Sequence, residues 1–425
     1  MNKDTSSNKA EIKKAFQYPV LKAIARRRGR RFPQGCTSPE GVMHHESRSS
    51  PTSLNENELA ILCWAGSGVT GMITGDLPTK HSGNIFGSWV GKATPCPCNV
   101  HNTKLFFTND SGTFLYDPGQ ASKHVEIENI DDWYRILTQY RGSCTRILNE
   151  RVEFIPKLLG GTMSWNINKP GTTVFIPVVD QSEEYINFML SVYDREGYGY
   201  RMVDDIKNQS AGLQKFIDSG QLKGPEIPLS STEVNLLYGN IAPAYLMLEN
   251  VHLVAEAMGL GAIMFSGYTG QIVLGVTPFS KGLGFRATIT KDGKSNPVGL
   301  DGLFEAYCPP YYKNMDEAVE AFYEKKYGSN GIYSAEYRGM TPFKNWEKIQ
   351  PDFNRPSELA LQQVKSYFNY LYDQYGRVPA TFDTKLLPVW LQVHHHDVEF
   401  YDKYFPKEMI TQEHRHHMKL WHDER

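Results

Sequence analysis

Five arginines, Arg26, Arg27, Arg28, Arg30 and Arg31, crowd the stretch ARRRGRRFPQG of a 425-residue chain whose formal net charge is only −2. Closely spaced guanidinium forks can hold one phosphate through paired hydrogen bonds. The same cluster also suits a nucleic-acid backbone or a plain solvated surface. A second grouping is the loop Thr94-Pro95-Cys96-Pro97-Cys98-Asn99. Its CxC spacing invites a metal, but no second cysteine pair follows at zinc spacing. A tight loop presenting one amide, Asn99, is the better use, since an amide both donates to and accepts from the edge of a heterocycle. The third grouping is the histidines His394, His395, His396, His414, His416, His417 and His422. Imidazole suits zinc, iron or copper, and His414 and His417 fall on one face of a helix. No metal centre is assigned from this pattern; His394, His396, His414 and His417 are the candidate ligands should one be held. The other readings are hydrogen-bonded surface histidines, or an acid or base that reaches a substrate.

Composition narrows the choice. Charged residues make up 22% of the chain and hydrophobic ones 40%, which suits a globular protein with a sizeable core. A pI near 6.7 argues against a general nucleic-acid binder. The first residues, MNKDTSSNKAEIKKAF, lack the apolar run of a secretory signal. The apolar stretch 241–267 is broken by Glu249, Asn250, His252 and Glu256, so it reads as a buried helix and not a membrane span. Six cysteines in so long a chain make no disulfide framework, and a reducing, cytoplasmic setting is expected.

The elements that must position these groups can be read in part. A short helix is predicted over 18–29, then a Ser-, Pro- and Gly-rich loop over 35–52. Ser53 and Glu56 have capping-box spacing and predict a helix that ends at Gly66 and Gly68. KLFFTNDSGTFLYD, 104–117, reads as a hairpin. Thr172–Val179 reads as a buried strand and 183–196 as a helix. Ser230 and Glu233, a second capping-box pair, predict a long helix to Met258, stopped by Gly259-Leu260-Gly261, with strands at 262–267 and 284–290. Further helices are predicted at 314–327, 357–375 and 406–422. Few strands, many helices and no βαβ alternation predict an α+β fold. No GxGxxG opens a helix after a strand, so a Rossmann domain is not expected, and no GxxxxGK[ST] is present.

The order of these pieces resembles the nitroreductase family of flavin enzymes. Arg26-Arg27-Arg28-Gly29-Arg30-Arg31-Phe32 looks like its R-R-S-x-R-x-[FY] start. Pro95-Cys96-Pro97-Cys98-Asn99 looks like its P-S-x-x-N loop. Ala255 to Gly261 and Phe265-Ser266-Gly267 resemble its A-x-x-L-G-L-G stop and the segment after it. Leu59–Gly71 is similar to a stretch of the branch that oxidises peptide heterocycles. Arg28 and Cys96 each stand where the family has Ser.

The resemblance implies a nitroreductase-like fold: a central, mostly antiparallel sheet surrounded by helices, with a helical C-terminal extension. It divides the chain into a polar N-terminal tail (1–17), an FMN domain (18–300, with insertions at 35–52 and 120–165) and a His-rich extension (301–425). It implies an FMN-dependent oxidoreductase acting on a small-molecule substrate, with NAD(P)H as a reductant. Hydride would pass between NAD(P)H or an organic substrate and an acceptor such as a quinone, nitroaromatic, enone or specialised metabolite. Arg26, Arg27, Arg28 and Arg30 would hold the phosphate. Pro95, Cys96 and Asn99 would meet the pyrimidine edge, and Ser266 and Gly267 would lie near flavin N5. A homodimer is implied, with neither nucleic acid nor membrane as partner. The alternative is a scaffold without redox activity that binds a partner or metal through the His-rich region.

Overall fold

A computed structural model describes residues 9–78, 84–119, 127, 130–155, 163–193, 199–266 and 270–422. Its centre is an antiparallel sheet. The strands are β1 (Thr103–Asn109), β2 (Gly112–Tyr116), β3 (Cys144–Leu148), β4 (Thr173–Asp180), β5 (Gly261–Phe265), β6 (Lys385–Leu386) and β7 (Trp390–His394). They run in the order β5-β7-β4-β1-β2-β3, with β6 also on β4. β1 and β2 are the predicted hairpin, closed at Asn109 and Gly112. β4 is buried at every position because both faces of the sheet are covered.

Alternation along the strands builds two cores. Leu105, Phe107, Phe175, Leu391 and Val393 face one way. They pack against α2 (Glu56–Ser67), α3 (Trp133–Ser143), α5 (Leu229–Met258) and α9 (Gln412–Trp421). Phe106, Val174, Ile176, Val178 and Trp390 face the other way, onto residues between Val273 and Phe304. A separate helical core joins α4 (Gln181–Tyr193), α6 (Met315–Tyr327) and α7 (Glu358–Tyr375). The molecule is thus α+β, with a central antiparallel sheet among helices and a largely helical C-terminal part. Among the described residues, no helix is long and apolar enough to cross a membrane. All six cysteines are unpaired.

Several expectations need correction. Residues 301–425 are not only an extension, because β7 lies inside the sheet between β5 and β4. Residues 9–16 form a helix whose Ile12 is fully buried, so the polar tail is docked there. The first capping box is Asn55 with Glu58, two residues beyond the predicted pair; Ser53 instead donates to Asp110. Glu233 caps nothing: its carboxylate accepts from the amides of Ala380 and Thr381 at 2.7 and 2.8 Å. Gly259 ends α5 in the left-handed region, φ 85°, as a glycine C-cap should.

Candidate functional site

Helix α5 is the spine on which the sequence-predicted groups meet. Near its C-terminal end, α1 (Val20–Arg26) and the arginines that follow pack against it. Arg27 pairs with Glu249 at 2.9 Å. His252 donates through Nε2 to the Arg28 carbonyl at 3.3 Å. Arg30 is wholly buried, 2.5 Å from Glu256, and also donates to the Met409 carbonyl at 2.7 Å. Its own amide reaches the carbonyl of Ala262 in β5. Burial raises the Glu256 pKa, and the attraction of Arg30 offsets only part of that. Arg30 is therefore committed to an internal pair. Arg26 is exposed, and Arg28 makes only long bonds, 3.3 Å each, to the carbonyls of Ala25 and Arg27. No ion pair to either is found among the described residues.

One to four turns back along α5, the Asn250 amide donates to the Ala93 carbonyl at 2.9 Å, and Pro243 and Met247 adjoin Thr94 and Cys96. Asn99 has φ 47° and is buried. Its side-chain amide donates to the carbonyls of Ser88 and Val90, so it braces its own loop. Beside that loop opens a mostly apolar pocket of about 270 Å³, lined by Cys96, Pro97, Cys98, Glu184, Phe188 and Gly239 among others. Burial pushes the Glu184 pKa up to about 7, although Cys98 and Asn187 hydrogen bonds hold it down. A group titrating there can exchange protons near neutrality. Sequence reading missed Glu184; its only signal was a carboxylate within the apolar helix QSEEYINFMLSVY. Burial also raises the Cys98 pKa, so this thiol stays protonated.

Ser266 is exposed just past β5, at the opposite end of that strand from Ala262, and among the described residues no hydrogen bond joins it to the arginines. Gly267 lies outside the described residues. Arg26, Arg27, Arg28, Arg30, Pro95, Cys96 and Asn99 thus all lie on segments packed along α5. Of the arginines, Arg26 and Arg28 keep donors to offer a ligand.

The histidines fall into two groups because β7 alternates. His395 follows Leu391 and Val393 to the helical face, where α2 presents Glu58. His417 of α9 and His422 just beyond it reach the same carboxylate. His394, His396 and His414 lie apart. His396 lies 4.7 Å from His414 between ring centres, tilted at 54°, and His414 sits 3.7 Å from Glu256. The four candidate ligands named from sequence are therefore split, with only His417 in the Glu58 group. Burial would raise the Glu58 pKa, but the charge of His395 and hydrogen bonds from three histidines hold it well below the carboxylate range. Burial lowers the His417 pKa despite its bond to Glu58.

No protein-family model matches the chain, and no curated protein matches it. Among solved structures, it is similar to a presumed nitroreductase from Ralstonia eutropha. Sequence identity is 15% and the TM-score 0.26, over 58% of this chain and 70% of that one. A superposition that loose does not establish a common fold.

Proposed function

We propose that the protein is an FMN-dependent oxidoreductase that moves hydride between NAD(P)H or an organic substrate and a small-molecule acceptor. One observation carries this reading: two segments far apart in the chain, at 26–30 and 93–98, both pack against helix α5, the first at Glu249–Glu256 and the second at Pro243–Asn250 beside the pocket. From Asn240 beside the pocket to Glu249 beside the arginines the helix rises about 14 Å. A mononucleotide is long enough to cover that rise, reaching around the helix with its phosphate near Arg26 and Arg28 and its ring toward the pocket.

The donor set fits in part. Arg26 and Arg28 would hold the phosphate through guanidinium forks. Arg30 and Asn99 serve the fold instead. The ring would lie toward Cys96 and Pro97, with Glu184 able to hold or release a proton beside it. When bound, the flavin supplies the hydride chemistry, and the protein orients it and excludes water.

At about 270 Å³ the pocket is near the lower limit for a small-molecule site. The same helix carries the exposed apolar residues Val234, Tyr238, Tyr245 and Leu246. A second copy docked on this face would cover both the patch and the pocket, which supports a homodimer. The test is the visible spectrum of the purified chain and its titration with FMN. A bound or readily taken-up flavin is expected, with affinity reduced about tenfold or more in R26A/R28A. A folded, colourless chain that ignores added FMN overturns the reading.

A further inference from the structure

The geometry points to a closed, structural metal centre of the zinc type at Glu58, His395, His417 and His422, a site independent of the flavin reading. One ligand atom from each residue lies within 4.8 Å of all the others. Glu58 Oε1 is 2.6 Å from His417 Nε2 and 3.2 Å from both His395 Nε2 and His422 Nε2. His422 Nε2 and His395 Nε2 are 3.1 Å apart. A tetrahedral ion with bonds of about 2.1 Å has ligand–ligand edges of about 3.4 Å. Three of these separations, 3.1–3.2 Å, are only a few tenths of an ångström shorter and the Glu58–His417 one, 2.6 Å, is shorter by more, so side-chain shifts of under about 1 Å would admit the ion.

Proton placement strengthens the case. His395 Nδ1 lies 2.8 Å from the Thr52 carbonyl, and His417 Nδ1 lies 2.8 Å from the Met258 carbonyl. A carbonyl can only accept, so each Nδ1 carries the proton. In the neutral ring, Nε2 is then a bare lone pair. Two such lone pairs converge on a carboxylate oxygen, an arrangement that repels unless extra protons on the rings or a metal ion lie among them. Backbone carbonyls holding the far nitrogen are also the usual support for a ligating histidine. Glu58 is aimed in the same way: its Oε2 accepts from the Asn55 amide at 2.6 Å, which leaves Oε1 for the centre.

Glu58, His395 and His417 are buried, and four protein ligands close the coordination shell. Such a site binds and staples; it has no open position for catalysis. Three imidazoles with one carboxylate favour zinc or a neighbouring divalent transition ion over calcium or magnesium. The ion would fasten β7 and α9 to the start of α2, where the Asn55 side chain already donates to the Trp421 carbonyl.

The test uses the full-length, untagged chain grown with zinc. Elemental analysis should find about one zinc per chain. After chelation the thermal midpoint should fall, and added cobalt(II) should give the intense visible absorption of four-coordinate N/O ligation. His417→Gln and Glu58→Gln should abolish that absorption, whereas His394→Gln should retain it. Should the first two variants not fold, cobalt titration of the native chain decides alone. A folded native chain that neither carries zinc nor takes up zinc or cobalt overturns the proposal. So does a weak six-coordinate cobalt spectrum, or loss of the band in His394→Gln but not in His417→Gln.

Discussion

Two arginines four positions apart illustrate how much environment decides. Arg30 and Glu256 are each 1% exposed. Removing one partner of a buried pair leaves the other without compensation and typically costs about 3–5 kcal/mol. Arg30→Met should therefore lower the denaturant midpoint sharply, whereas Arg26→Ala should change stability by no more than about 0.5 kcal/mol. Equal losses in the two variants would contradict this division. Glu184 offers a second test. Its folded pKa of about 7 lies above the ordinary 4.5. The folded state therefore holds a proton that the unfolded chain releases. The associated stability is complete below about pH 4.5 and is lost as pH rises through about 7. Glu184→Gln should flatten the urea-midpoint profile across that window, and an unchanged slope would refute the assignment. The arginine cluster was legible in the sequence. The partner that removes Arg30 from service, Glu256, was not, because 226 residues separate them.

At the scale of elements, strong local patterns translated well. The hairpin at β1 and β2, the buried run of β4, and helices α6 and α7 all stand close to their expected places. Errors arose where side chains serve distant partners. Ser230 and Glu233 have capping-box spacing, yet Ser230 binds Asp205 and Glu233 binds the 380–381 loop. β7 went unrecognised because it is only five residues long and its apolar run passes straight into three histidines. That omission also mixed the histidine groups. Strand alternation puts His395 on the face opposite His394, and helical spacing alone linked His414 to His417. The capping box of α2 has a double role, since the glutamate that closes it is also the carboxylate of the histidine cluster.

For the whole molecule, the division at residue 300 does not mark an independent unit. β7 makes ladders with both β5 and β4, and Lys385 forms a buried pair with Asp180 at 2.9 Å. A chain ending at residue 300 should therefore fail to fold. Circular dichroism and proteolysis of that truncation would check this, and a stable, cooperatively melting fragment would restore the earlier boundary. Composition indicated a globular protein and the run of predicted elements an α+β fold, but neither showed this interleaving, because nothing local in 385–394 says which strands it will join.

The placement of β7 also bears on how the protein is made. Gln392 donates to the Asn166 carbonyl, 226 residues earlier in the chain. While the ribosome is still synthesising the intervening residues, β4 and β5 have a gap between them and each shows an unpaired edge to solvent. Exposed edges of this kind recruit other nascent chains. The sheet is completed only when its last strand arrives, so shielding that gap during synthesis should raise the yield of folded chain.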